Sequence, residues 1–223
     1  MGFTNPLKNT WGSDTLNDLY DRRGAVTYTS ASVGQGEISS NSWTTQTFPL
    51  ASNGQLPGIH GVTSSSANNR GLINGDTIGP LGKLRVCSWQ VKLVQTTSCR
   101  LFCVVSATQF TDGDTPTADY MGFRYSTNAS DTNWQCVSNG NGAAGVTDSG
   151  VPVTTAEVLL SIVYDNVNGY IQYYINRNLV ATRTTALPRT TLTTYCWRTY
   201  LTTLAAATKE VDVAFYNERY TTV

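Results

Sequence analysis

A chain of 223 residues is long enough for one large β domain, alone or with an arm, and can bury a hydrophobic core. Only 13% of its residues are charged and its formal net charge is zero. The strongly basic balance of nucleic-acid-binding proteins is missing, so we predict no nucleic-acid partner. No apolar run reaches the roughly 20 residues of a membrane-spanning helix, so we also predict no membrane segment.

The first part of the chain predicts an N-terminal arm, residues 1–24, ahead of a single β domain, residues 25–223. The stretch "GFTNPLKNTW" is typical of extended chain. The stretch "GSDTLNDLYDRRG" predicts one short helix that Asp14 caps and Gly24 ends. A helix this short is marginal alone, so the arm must pack on its own domain or on a neighbouring molecule. We expect no signal peptide, because no basic segment leads into an apolar one.

From residue 25 onward the pattern predicts β-strands. "AVTYTSAS" and "SWTTQTFPL" are strand-like, and a long ordered loop and strand follow, with turns at Asn53-Gly54 and Pro57-Gly58. From Leu84 to the end, apolar and polar residues alternate in short runs, giving roughly ten to fourteen strands at the spacing of a sandwich or barrel. The segment 119–139 predicts two paired strands joined across Asn128 to Asp131.

Residues 169–188, "GYIQYYINRNLVATRTTALP", predict a hairpin of scaffold residues. Ile171, Tyr173 and Ile175 form one face, which we expect to point into the core. Tyr side chains on the other face suggest that this face is partly covered as well. The turn is predicted at residues 176–178.

The chain has five cysteines, an odd number, so at least one has no partner within the chain. We expect folding in a reducing cytoplasm with free thiols. Each cysteine lies in a strand-like run, where cysteine is usually a small buried hydrophobic residue. The spacing of zinc ligands is absent, and the only histidine is His60. The five are Cys87, Cys99, Cys103, Cys136 and Cys196.

Few residues offer catalytic chemistry. A retaining glycoside hydrolase needs two carboxylates about 5 Å apart. Glu210 and Asp212 share a strand face, but we interpret them as solvated charges at a strand edge, and His60 as a structural residue in a Gly-flanked loop. The stretch "FTDGDTPTAD" offers Asp112, Asp114 and Asp119 for calcium, but a polar loop between two strands, in which Asp-Gly is turn chemistry, is the favoured interpretation. We therefore predict no enzyme, metal or cofactor.

Sugar binding is a further hypothesis, because aromatic faces stack on pyranose rings. Trp43 and Trp134 are the candidates we keep as possible glycan-stacking residues, although core packing is the favoured role for the tryptophans. Trp89 and Trp197 alternate with polar neighbours in strands, which is typical of core aromatics.

Several motifs together resemble a phage-associated domain family. They are Asn133-Trp134-Gln135, the turn from Thr147 to Val153, and the hairpin from Tyr174 to Thr182. The resemblance covers about residues 25–216. It implies an all-β, concanavalin A-like or laminin-G-like jelly-roll sandwich of the kind found in phage head, tail and fibre proteins. This chain departs from the pattern at Arg177, where the family often has Gly, so the turn type is open.

The resemblance implies a virion structural protein at the virion surface, made in the host cytoplasm. A short arm fits a capsid-decorating or cement protein better than a tail fibre, with the major capsid protein or tail components as partners and a homo-oligomer as the assembly. The alternative is a tail or fibre module that binds a cell-surface glycan. The arm residues predicted to dock by burying apolar area are Phe3, Leu7, Trp11, Leu16, Leu19 and Tyr20.

Overall fold

The structure is a computed structural model that describes residues 43–47, 59–77, 81, 85–110, 113–192 and 194–219. Within these ranges the chain forms thirteen strands and no α-helix. The predicted arm, with its helix, lies outside the described residues. The strands are β1 Trp43–Thr47, β2 Ile59–Thr63, β3 Arg70–Thr77, β4 Arg85–Leu93, β5 Cys99–Ser106, β6 Tyr120–Ser126, β7 Asn133–Gly140, β8 Ala143–Pro152, β9 Val158–Asp165, β10 Tyr170–Ile175, β11 Asn178–Arg183, β12 Cys196–Thr203 and β13 Glu210–Arg219.

The strands form two antiparallel sheets that pack face to face, which confirms the predicted all-β sandwich. The seven-stranded sheet has the order β1-β2-β13-β4-β9-β10-β11, and the six-stranded sheet has the order β3-β12-β5-β6-β7-β8. The predicted pairing of residues 119–127 with 133–139 is confirmed as β6 and β7. No helix in the described part of the chain is long and apolar enough to cross a membrane.

The main core lies between the two sheets. Every second side chain along a strand points inward and packs there. Trp89 of β4 and Trp197 of β12 meet there, with ring centroids 6.4 Å apart, as the alternation predicted. Ile171, Tyr173 and Ile175 of β10 are buried in the same core, which confirms the predicted face of the hairpin. Four of the five cysteines are fully buried and Cys196 is half-buried.

A second, smaller core covers the outer face of the six-stranded sheet. In the connection between β5 and β6, residues 107–110 and 113–119 fold back over this face, and the side chain of Phe110 is buried against it. All eight residues of β5 are therefore buried, which explains why "CRLFCVVS" has apolar residues on both faces. The apolar members of this second core are Leu72, Phe102, Val104, Phe110, Tyr120, Val137 and Tyr200.

Two hairpin turns have the backbone that right-handed strand twist favours. Asn176 and Arg177 have φ of 49° and 70°, so β10 and β11 are joined by a two-residue turn with the positive φ values of type I′. Asn141 and Gly142, with φ of 54° and 80°, join β7 and β8 in the same way. Arg177 thus takes the left-handed conformation, which fixes the turn type that the sequence left open.

Candidate functional site

Three titratable side chains meet on the outer face of the seven-stranded sheet, where β2 and β13 run side by side. His60 is the cross-strand partner of Asp212, and its Nδ1 lies 2.6 Å from Asp212 Oδ1. The other ring nitrogen, Nε2, lies 3.7 Å from Glu210 Oε2. We call His60, Glu210 and Asp212 the His60 cluster. Val211 and Val213 lie in the core, so strand alternation turns Glu210 and Asp212 outward.

Neighbouring strands position this cluster without burying it. The backbone N–H of Glu210 donates to Gln95 Oε1 at 2.8 Å, and Gln95 Nε2 donates back to Glu210 Oε1 at 3.4 Å. The side chains of His60, Glu210 and Asp212 are 23%, 32% and 41% exposed. A dissolved molecule can therefore reach a group of polar atoms that regular strands hold in place.

The His60 cluster combines carboxylate acceptors with an imidazole that donates or accepts according to its tautomer. Such a set matches the hydroxyl groups of a polar ligand, and the same groups are able to transfer protons. Among the described residues, no group of three or more His, Cys, Asp or Glu side chains has the arrangement of a metal site.

A second set of charged side chains fastens residues 113–119, in the connection between β5 and β6, to the six-stranded sheet. Arg100 Nε donates to Asp114 Oδ1 at 2.6 Å, and Arg124 Nη1 donates to the Asp114 backbone carbonyl at 2.8 Å. Arg124 also makes a two-pronged contact with Asp131, at 3.0 Å for both nitrogens. Burial opposes ionisation of Asp114, but hydrogen bonds from Arg100 and other donors outweigh it and lower the pKa to about 2.

Asp119 fastens the other end of the same connection. Burial opposes ionisation of its carboxyl, yet hydrogen bonds from the Arg189 side chain and backbone outweigh it and lower its pKa. Arg189 donates to both Asp119 oxygens, at 3.0 and 2.9 Å. The carboxylates of Asp114 and Asp119, which the sequence offered as calcium ligands, are thus bound to two different arginines. Asp112 lies outside the described residues.

The two predicted glycan-stacking residues, Trp134 and Trp43, have different outcomes in the structure. Trp134 is 2% exposed and packs in the core beside Tyr125, with ring centroids 6.5 Å apart, so its indole face is not available to a sugar. Trp43 begins β1, where its backbone partner is Thr63, but its side chain lies outside the described part. The six arm residues predicted to dock lie outside the described residues too.

The sequence interpretation of the His60 cluster is corrected in two respects. His60 is the second residue of β2, which pairs with β1 and β13, so it lies in a strand rather than in a loop. Glu210 and Asp212 share a face, as predicted, but they flank an imidazole rather than standing alone at an edge. The spacing Glu210-x-Asp212 was the sequence signal for this site, because it places both carboxylates on one strand face. It did not indicate that His60, about 150 residues earlier in the chain, would contact them.

Comparison with known proteins supports the fold. No family model matches the chain, and neither does any curated protein sequence. The Emp46p carbohydrate recognition domain, in its potassium-bound form, matches with a TM-score of 0.53 and 8% identity over 86% of this chain and 92% of that one. An endo-beta-1,4-glucuronan lyase from the fungus Trichoderma reesei matches with a TM-score of 0.52 and 10% identity over 78% and 91%. The chain has a concanavalin-like jelly-roll fold.

A third match corrects the prediction that the protein is not an enzyme. A sialidase shares the fold with a TM-score of 0.50 and 10% identity over 72% of this chain, which spans only 15% of the sialidase's length. With a sialidase and the glucuronan lyase among proteins of this fold, the exclusion of enzymatic function was wrong. The exclusion rested on the lack of a suitable carboxylate pair and on the interpretation of His60 as structural, whereas the structure places the His60 imidazole against Asp212.

Proposed function

We propose that the sandwich is a glycan-binding module and that the glycan contacts the His60 cluster. The observation that carries the proposal is a partly exposed group of two carboxylates and an imidazole, fixed on two strands of a jelly roll. The fold similarity to a carbohydrate recognition domain supports it. It favours this function more than the capsid-decorating role that the sequence put first.

Hydrogen bonding is the recognition chemistry that the described surface offers. Carboxylates accept hydrogen bonds from sugar hydroxyls, and the charge makes each bond stronger than a neutral one. Among the described side chains every Trp, Phe and Tyr is buried except the half-buried Tyr170, so stacking on an exposed ring contributes little there. We therefore expect a hydroxyl-rich ligand held through Glu210, Asp212 and His60, with Trp43 kept as a predicted stacking residue.

A glycan array probed with the full chain tests the proposal, followed by calorimetric titration of the best-binding glycan. We expect Asp212→Asn and His60→Ala each to weaken binding about tenfold or more, because one charged hydrogen bond contributes about 1.5–3 kcal/mol. Glu157→Gln is the matched control: it removes an exposed carboxylate outside the His60 cluster, where Gln90 is its partner.

The experiment has three possible outcomes for the glycan-binding proposal. Specific binding that the two cluster variants weaken and the control leaves unchanged supports the proposal. Specific binding that survives both cluster variants places the glycan elsewhere and removes the His60 cluster from the proposal. An array without any specific signal refutes glycan binding altogether.

The virion role predicted from the sequence is a second proposal. It rests on the motifs from Asn133 to Thr182 and on the apolar residues of the arm, and it assigns the protein to a phage surface with the major capsid protein or a tail component as partner. Glycan binding is compatible with it, since a virion surface protein can carry a glycan-binding module. Deletion of residues 1–23 should leave a folded domain that no longer attaches to particles, and retained attachment would refute the role of the arm.

A further inference from the structure

We propose that β8 is a dimerisation edge, at which a second copy of this chain pairs antiparallel with the first and joins the two six-stranded sheets. Among the strands that the structure describes, β8 is the last of its sheet and pairs only with β7. An edge strand offers a row of backbone N–H and C=O groups to any other strand, and proteins that stay monomeric block such edges with Lys, Pro or bulges. The proposal does not depend on glycan binding.

Only the second half of β8 carries such protection. Register shifts between β7 and β8 near Asn133 and Gln135, so the segment 149–151 bulges out of the ladder. There the N–H of Gly150 donates to Asp148 Oδ1 at 2.6 Å and the N–H of Val151 donates to Ser149 Oγ at 3.1 Å. Pro152 then ends the strand.

The first half of β8, residues 143–148, has none of these devices. It pairs with β7 in unbroken register from Gly140↔Ala143 to Gln135↔Asp148. It contains no Lys, no Pro and one charge, and its Val146 is 44% exposed. Within the described part of the chain, this half is therefore a regular and largely apolar edge that no further strand covers.

The neighbouring edge strand, β11, is less suited to pairing with another chain. Strand β11 is the last strand of the other sheet, and its register with β10 shifts near Tyr173 and Tyr174, which is the mark of a bulge. Arg183 of β11 reaches across to β8, where Nη1 donates to Thr147 Oγ1 at 2.7 Å. This bond ties the two edges together and keeps β8 in place for pairing.

The second copy is the occupant that these features fit. Antiparallel pairing of two identical strands satisfies the same backbone groups in both, so one edge serves both chains about a two-fold axis. Centring the pair on Val146 sets this side chain against its own copy and sets Asp148 opposite Ala144. The two Asp148 carboxylates are then about 13 Å apart at 3.3 Å per residue, beyond the Debye length of about 8 Å. The zero net charge of the chain adds no long-range repulsion.

Sedimentation velocity of the full chain between about 1 and 100 µM tests the association, because small interfaces have Kd values in this range. We expect a species of twice the chain mass that Val146→Lys abolishes. The matched control is Val167→Lys, at the 84% exposed Val167 of the β9–β10 turn, which should leave the dimer intact. A wild-type chain that is monomeric throughout, or a Val146→Lys variant that still dimerises, overturns the proposal.

Cross-linking tests the register. Residues facing one another across antiparallel strands have Cα atoms about 4.5–5.5 Å apart, which suits a disulfide. Under mild oxidation we expect Val146→Cys to give a covalent dimer and Val167→Cys to give none. Equal cross-linking of both variants, or none with Val146→Cys, contradicts pairing centred on Val146.

Discussion

The ring of Phe110 lies parallel to the ring of Tyr200, with centroids 4.8 Å apart and planes at 10°, and its backbone N–H donates to the Tyr200 hydroxyl at 3.0 Å. One residue of the β5–β6 connection is thus bound to β12 through both its side chain and its backbone. Arg70 adds a hydrogen bond to the Phe110 carbonyl at 2.6 Å. Phe110 thus anchors this connection through ring stacking and backbone hydrogen bonds, and Asp114 and Asp119 anchor it by charge.

Phe110→Ala should lower the free energy of unfolding by about 3 kcal/mol, because it empties a buried aromatic site. Thr115→Ala, at an exposed position of the same connection, should change it by less than about 0.5 kcal/mol. Urea denaturation followed by circular dichroism measures both. Equal effects of the two changes would show that the connection is not held through Phe110.

Asp114→Asn should destabilise the protein at neutral pH and less so in acid. The folded pKa of Asp114 is lowered to about 2, below the ordinary value near 4, so the carboxylate stabilises the fold above pH 4. This contribution is lost as the pH falls from about 4 through 2. Urea denaturation at pH 7, 4, 3 and 2 should show the wild type and the variant converging, and a constant difference would contradict the assignment.

Comparing Gly122→Ala with Gly113→Ala separates the free-energy cost of a positive φ from the cost of a steric clash at the added Cβ. The two glycines have nearly the same φ, 150° and 153°, but a Cβ on Gly122 would collide with the Cys103 carbonyl and lie 2.8 Å from Val104 Cα, whereas a Cβ on Gly113 meets nothing within 4 Å. We expect about 1 kcal/mol of destabilisation for Gly113→Ala and at least about 3 kcal/mol for Gly122→Ala.

Thermal denaturation of both glycine variants provides the measurement. Gly122→Ala is also expected to accumulate in insoluble form, because the collision is with the backbone of a central strand rather than with a side chain that could move. Similar melting temperatures for the two variants would mean that β5 can shift away from β6, contrary to the packing described above.

Thiol reactivity should be low in the folded protein. Burial raises the pKa of Cys99 to about 11, although Lys209 opposes it, and raises that of Cys136 to about 12, so neither thiol is ionised at pH 8. Cys103 is shifted in the same direction by burial. Ellman's reagent should react quickly with at most the half-buried Cys196, and with all five thiols in guanidinium.

A Cys196→Ser variant is the control for this experiment, since it should remove the fast phase and leave four thiols that react only after unfolding. Fast reaction of several thiols in the native variant would show that the sandwich opens readily or that the cysteines are not enclosed.

Alternation predicted most strands because the pattern is local. The runs around Trp89, Tyr173 and Trp197 place every second side chain in the core, and each became a strand within a residue or two of its expected ends. Strand β8 was interpreted only as part of a turn, because it is an edge strand rich in small residues such as Gly145. Its pairing is set by the Asn141-Gly142 turn and by β7 rather than by its own composition.

The remaining features depend on contacts between distant residues. The second core needs Phe110 to meet Tyr200, and the His60 cluster needs two strands from opposite ends of the domain to become neighbours. Strand order fixes both, and strand order is a property of the whole fold. A sequence pattern could offer His60, Glu210 and Asp212 as candidates but could not bring them together.

The enclosure of β5 has a consequence for how the protein moves. This strand has neighbours on both sides, β12 and β6, and is covered on both faces, so no partial opening exposes its amides to water. Hydrogen–deuterium exchange at its amides should therefore require global unfolding, and the slowest rates should report the full stability of the domain. We therefore expect the slowest-exchanging amides of the molecule in β5, at the centre of the six-stranded sheet.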